Sequence, residues 1–170
     1  MKKLFLSLIA VAIGTVMSYA QSTLVATLSH GDEISMFYGA YALQQAHTKA
    51  VSGDIINLSG GSFQAPTTIT KAITLRGTGI DDANPTYIIT DFAINVPTTD
   101  TGRLSMEGIR CSKTVTLQGT LNNAYFFKCK FYEIQCYNSN NTYVKNAMFA
   151  NCKITYRCTL TGASTMQFIN

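Results

Sequence analysis

The sequence predicts an all-β chain wound as a parallel β-solenoid, and three observations carry that expectation. Phe126-Phe127-Lys128-Cys129-Lys130-Phe131 returns 23 residues later as Phe149-Ala150-Asn151-Cys152-Lys153-Ile154 and begins again, 19 residues on, as Phe168-Ile169-Asn170. A companion pattern sits beside it, Ile134-Gln135-Cys136 and Tyr156-Arg157-Cys158, 22 residues apart. Short strands that return about every 20 residues stack as coils, each burying its apolar side against the next, instead of closing around one core. The third observation is an absence: no Asn-Gly or Asp-Gly pair, the usual signal of a tight hairpin, follows residue 53. Parallel register places like residues over like, here Cys over Cys, Phe over Phe and Lys130 over Lys153.

Three segments are expected. Residues 1–20 read as a secretory signal peptide: Lys2 and Lys3, an apolar run from Leu4 to Met17, then Ser18-Tyr19-Ala20 before Gln21. The run is short for a bilayer span and polar residues follow it at once, so the chain is expected to be exported to the periplasm, cell surface or exterior, with no stable membrane span in the mature part. Residues 21–53 read as a hairpin and a capping helix, and residues 54–170 as coils. Without Lys2 and Lys3 the formal charge falls from +4 to +2. That near-neutrality gives no basis for a nucleic-acid partner.

Each element has a local reason. Leu24, Ala26 and Leu28, then Ile34, Met36 and Tyr38, alternate around the turn Ser29–Glu33, with His30 as a turn residue. Ala40 to Val51 reads as a helix whose Leu43, Ala46 and Ala50 form an apolar stripe, with His47 on or near it as a packed residue. Gly53 stands just past its end, where positive φ is wanted. Short strands follow, rich in β-branched and aromatic residues and bounded by Gly, Asn, Asp or Pro. They include 54–58, 67–70, 72–76, 87–90, 92–96, 104–106, 109–111, 115–117, 125–131, 134–136, 143–144, 148–156 and 165–169. In the later coil Cys152, Ile154, Tyr156, Cys158 and Leu160 are expected to face inward. In the one before, an extra residue separates Phe131 from Ile134.

All five cysteines, at 111, 129, 136, 152 and 158, lie in the mature part. Buried columns of small apolar thiols account for their places in the repeat, with Cys111 joining the column of Cys129 and Cys152. The alternative is that two pairs oxidise and one thiol is left over. Their spacing does not suit zinc, and the two histidines are distant in sequence, so neither metal nor cofactor is expected.

The stretch Ala42-Leu43-Gln44-Gln45-Ala46, Gly53-Asp54-Ile55-Ile56-Asn57-Leu58, Gly60-Gly61-Ser62-Phe63 and Thr68 to Gly79 resembles the first coils of the pectate-lyase-like (pectin lyase fold) superfamily. The matching features are a capping helix, a GD-x-I-x-L first strand, a G-x-F turn and an I-T-L-x-G-x-G strand. The hairpin and helix are similar to exported β-helix proteins of Bacteroides-type bacteria. The resemblance implies a right-handed parallel β-helix capped at its N-terminal end; the repeat itself, whose third copy stops where the next residue would be the column cysteine, leads one to expect the other end to be open or truncated. The resemblance is silent on activity, since the superfamily holds lyases, hydrolases, esterases and non-catalytic surface proteins.

No catalytic residues are assigned. The acidic residues are scattered; Asp81-Asp82, the only adjacent pair, reads as turn chemistry. The N-T-D, strand D-D, G-H-G and R-I-K motifs of galacturonan hydrolases of this fold are missing. If Cys129 and Cys152 face inward, Lys130, Tyr132, Lys153 and Arg157 face outward, where Tyr can stack on sugar rings and the cations can meet acid groups; plain surface decoration is the alternative. The expected function is a non-catalytic exported module contacting polysaccharide or another macromolecule, with self-association through an open C-terminal edge. The rival expectations are the N-terminal portion of a β-helix polysaccharide lyase or glycoside hydrolase whose catalytic coils lie beyond residue 170, and an adhesin or structural stalk.

Overall fold

A computed structural model describes residues 23–100, 102–119, 121–137, 144–161 and 163–170. The expected signal peptide and the Asn138–Thr142 turn lie outside the described residues. The hairpin is present: β1 (Val25–His30) pairs antiparallel with β2 (Glu33–Tyr38), and also with β3 (Ile55–Leu58) of the first coil. Helix α1 runs Ala42–Lys49, shorter at both ends than expected. Its stripe of Ala42, Leu43 and Ala46 is fully buried at the end of the stack. Lys71 Nζ donates to the carbonyls of His47 and Thr48 (2.6 and 3.1 Å), satisfying the helix end with a cation where the dipole is negative. Gly53, at φ 96°, makes the turn into the coils.

The remaining strands are β4 (Gly61–Phe63), β5 (Thr68–Ile69), β6 (Thr74–Arg76), β7 (Thr86–Ile88), β8 (Phe92–Ile94), β9 (Ser105–Glu107), β10 (Ile109–Leu117), β11 (Tyr125–Phe127), β12 (Lys130–Tyr137), β13 (Val144–Ala150), β14 (Lys153–Thr161) and β15 (Ala163–Ile169). They stack in parallel as a β-solenoid of about four turns. One face runs β3-β6-β9-β11-β13-β15 and a second runs β4-β7-β10-β12-β14. A third begins with β5 and β8 and continues along the later halves of β10, β12 and β14. Long strands such as β10 therefore wrap a corner: Ile109–Cys111 pair with β7, and Val115–Leu117 with β8.

The interior is a set of apolar columns. Phe126, Phe149 and Phe168 stack ring on ring, with centroids 4.5 and 4.9 Å apart, and Phe131 meets both Phe126 and Phe149 edge-on. That spacing is the strand separation of a sheet, about 4.8 Å, so identical rings in register sit at good stacking distance with no adjustment. At the far end of the stack Phe168 and Ile169 are each 50 % exposed.

The strands expected at 125–131 and 148–156 are each broken by a corner. Lys128 (φ 48°) and Asn151 (φ 51°) take the left-handed conformation, and Gly108 (φ 65°) does so one coil earlier. The corner amides of Gly108, Lys128 and Asn151 then donate to the carbonyls of Phe127, Ala150 and Ile169 on the following coil. A second left-handed position is shared by Asn146 and Thr165, which lie opposite one another between β13 and β15.

Two register expectations are corrected. Cys111 lies opposite Phe131, not Cys129. Cys158 lies opposite Ile134, and Cys136 opposite Leu160, so the companion pattern is not a structural repeat. In β14 only Tyr156 departs from the expected inward alternation, being 61 % exposed; Cys158 and Leu160 lie over the buried Ile134 and Cys136 and are exposed at the open end of the stack. The cause is one extra residue, since Thr155 and Tyr156 together face Tyr132.

Candidate functional site

On the outer side of the second face, parallel register makes a row of side chains: Ser62, Tyr87, Arg110, Lys130 and Lys153. Tyr87 and Ser62 begin it and three cations complete it. Adjacent strands stand about 4.8 Å apart, and like charges directly opposite one another are unfavourable in a sheet. Neither Lys130 nor Lys153 has an acidic partner among the described residues.

Arg110 is held rigidly. Its Nε donates to the Ile80 carbonyl at 2.7 Å, Nη2 donates to the same oxygen, and Nη1 donates to the Tyr87 hydroxyl at 2.8 Å. The guanidinium also lies 5.4 Å from the Tyr87 ring centroid. The loop after Gly79 therefore positions this cation through a backbone oxygen, and among the described residues no carboxylate pairs with it.

Beside the row, the corner supplies an aromatic step. Tyr132 stacks on Tyr156 with centroids 4.9 Å apart and planes 6° from parallel. On the opposite side the column breaks: two residues of β10, Ser112 and Lys113, face the single Tyr132, because this strand too carries an extra residue relative to β12. Where a third ring would stand there is a notch. It opens into a groove of about 260 Å³ lined by Tyr87, Arg110, Cys111, Ser112, Lys130, Tyr132 and Thr155.

Arg157 belongs to a different row. It lies opposite Glu133, and its Nε donates to that carboxylate at 2.5 Å. Thr114 Oγ1 and Gln135 Nε2 donate to the same carboxylate, each at 3.0 Å. These bonds, first that of Gln135 and then that of Arg157, hold the Glu133 carboxyl below its ordinary pKa. Glu133 is buried, which by itself favours the neutral acid; the three donors outweigh that cost and tie the carboxylate to the corner.

Of the four residues singled out by sequence, the structure therefore brings Lys130 and Tyr132 together in the groove and sets Lys153 next along the row. It assigns Arg157 to a structural ion pair that also lies 5.5 Å from the Tyr156 ring centroid. Sequence reasoning missed Arg110 and Tyr87. The signal was present: Arg110-Cys111, Lys130-Phe131 and Lys153-Ile154 are the same dipeptide position in three coils, hidden by aligning Cys111 with the wrong column.

Elsewhere Asp82 accepts a bond from the Asn84 amide at 2.8 Å, as a turn carboxylate does. His30 is exposed and pairs with Asp54 at 2.7 Å, which raises its pKa. Among the described residues no group of three or more His, Cys, Asp or Glu side chains converges as metal ligands, and no helix is long and apolar enough to cross a membrane. No protein-family model matches the chain, and no curated protein or solved structure is significantly similar to it. The fold thus stands on strand order and register alone.

Proposed function

We propose that the chain is an exported, non-catalytic β-solenoid module that holds an acidic polysaccharide against its second face, and that it is a member of the pectate-lyase-like superfamily. The observation that carries the functional reading is the groove in which Lys130 and the pinned Arg110 flank the open side of the Tyr132–Tyr156 stack. A pyranose ring offers an apolar C–H face to Tyr132, and its carboxylate or sulfate offers negative charge to the cation row. A linear polyanion running along the stack then meets Arg110, Lys130 and Lys153 in succession. Binding relieves the like-charge stacking in that row, so the free protein is preorganised for an anion. Superfamily membership is supported by the capping helix, by Gly53 at positive φ and by the parallel coils that follow them.

The test is calorimetric titration of the full chain with a uronan and with its carboxyl-reduced, uncharged counterpart. The expected result is binding of the uronan that weakens as salt rises, at least tenfold weaker in Lys130→Gln/Lys153→Gln, and weak or no binding of the uncharged polymer. Tyr132→Ala is expected to weaken binding at every salt concentration. Equal affinity of the double variant for the uronan, or no binding by the native chain to any acidic polysaccharide on a glycan array, overturns the proposal.

A further inference from the structure

Cys129 and Cys152 each stand immediately after a left-handed corner residue, Lys128 or Asn151, and immediately before a lysine of the cation row. Their coils are bonded at this point, the Lys153 amide donating to the Cys129 carbonyl at 2.9 Å. Each thiol donates to the carbonyl one coil back: Cys129 Sγ to Met106 O and Cys152 Sγ to Phe126 O, both at 3.3 Å. Met106 and Phe126 are themselves register partners, so the two thiols hold the same orientation one strand apart. Register neighbours have Cα atoms about 4.8 Å apart, inside the roughly 4.4–6.8 Å range of disulfides. Both residues lie outside β12 and β14, directly after a left-handed corner, so their backbone is not that of a regular ladder.

We propose that Cys129 and Cys152 form a modification site, a thiol pair that an organic disulfide closes into a bridge between adjacent coils. The inference is independent of the polysaccharide reading. Cys152 is the attacking group because it is half-buried, whereas Cys129 is fully buried. The Cys152 thiolate attacks one sulfur of R–S–S–R, forming a mixed disulfide and expelling R–S⁻, which takes up the proton that Cys152 lost. The Cys129 thiolate then attacks Cys152 Sγ, forming the protein disulfide and expelling the second R–S⁻, which takes up the proton of Cys129. Two protein thiols are oxidised and one organic disulfide is reduced to two thiols. The polarity of the pair agrees: a bond from the Cys129 thiol, when turned from Met106 O to Cys152, lowers the Cys152 pKa, and burial raises that of Cys129. Cys111 lies near enough to Cys129 and Cys152, and Cys158 to Cys136, to shift their titration, but none of these other thiols has a thiol as its register partner. Cys111 lies opposite Phe131, Cys158 opposite Ile134 and Cys136 opposite Leu160.

The experiment uses the full chain, reduced, desalted and exposed to oxidised glutathione, followed by thiol titration in denaturant and non-reducing peptide mapping. The expected result is loss of two of the five thiols, one linked peptide pair joining residues 129 and 152, a rate that rises with pH through neutrality, and a higher Tm reversed by reductant. Cys129→Ser is expected to stop at a glutathione adduct on Cys152, and Cys152→Ser to leave Cys129 unreacted in the folded state. A native chain that keeps all its thiols, that stops at the mixed disulfide, or whose bridge includes Cys111, Cys136 or Cys158, overturns the proposal.

Discussion

Truncating Phe149 to alanine tests the stacked interior where it is densest. The ring is 1 % exposed, stacks on Phe126 at 4.5 Å and on Phe168 at 4.9 Å, and meets Phe131 edge-on at 6.0 Å. Removing a buried Phe costs about 3–5 kcal/mol through lost transfer energy and the cavity left behind. Three ring contacts, each worth about 0.5–1.5 kcal/mol beyond area, put Phe149→Ala in the upper part of that span, about 4–5 kcal/mol. Phe168 is half exposed and keeps only the stack on Phe149, so half the burial of about 3 kcal/mol plus one ring pair gives about 2 kcal/mol for Phe168→Ala. Urea unfolding followed by circular dichroism reads both, with the m-value checked because stacked repeats can lose cooperativity. Equal costs at the two positions, or a larger cost at Phe168, would refute an interior built as a ladder with Phe149 in its middle.

Other perturbations probe the corners and the titrating groups. Gly108→Ala is expected to cost about 2 kcal/mol or more, because φ is +65° and the new Cβ would meet Gly79 N at 3.0 Å and Gly79 Cα at 3.1 Å. Lys128→Gly, at the matching corner, is expected to be stabilising by up to about 1 kcal/mol in the same urea assay. His47 accepts from the Thr70 amide at 3.4 Å and is packed under Lys71; burial first, then the Lys71 charge, lower its pKa below 6.5. His30 moves the other way, raised by its bond to Asp54. Stability owed to neutral His47 is therefore complete above pH 6.5 and lost as pH falls toward its folded pKa. Stability owed to charged His30 is complete below pH 6.5 and lost as pH rises through its folded pKa. A Tm profile is expected to peak near pH 6.5, and His47→Gln to flatten its acid side alone; an unchanged acid side would contradict the assignment. Arg157→Ala is expected to raise the Glu133 carboxyl pKa measured by NMR, whereas Lys153→Ala leaves it unchanged.

Much of this architecture was legible where local chemistry and tertiary position agree. Leu24, Ala26 and Leu28 alternate because one side of β1 is buried, and Leu43 and Ala46 share a stripe because the helix lies on the first coil. Phe126 and Phe149 match because parallel register puts them face to face. Legibility failed where the coil length changes. Strands β10 and β14 each carry one residue more than β12 at the same corner, so counting spacings paired Cys158 with Cys136 and turned Tyr156 inward. The corners were hidden for another reason: Lys128, Asn146 and Asn151 hold positive φ without being glycine, and only the bonding of neighbouring coils requires it. The candidate site inherited both errors. Lys130, Tyr132 and Lys153 followed from the repeat, but Arg110 needs the correct register, and the notch beside Tyr132 exists only because Ser112 and Lys113 share one place in the ladder.

The central claim is that successive coils lie in parallel register along the row from Arg110 to Lys153. Amide–amide and amide–Hα NOEs on the isotope-labelled chain measure this directly. Parallel register predicts cross-peaks linking residues 110–111 to 130–131 and 130–131 to 153–154, with ring contacts from Phe126 to Phe149 and from Phe149 to Phe168. Strong Hα–Hα cross-peaks between these segments, the mark of antiparallel hairpins, or cross-peaks that place Cys111 opposite Cys129, would contradict it.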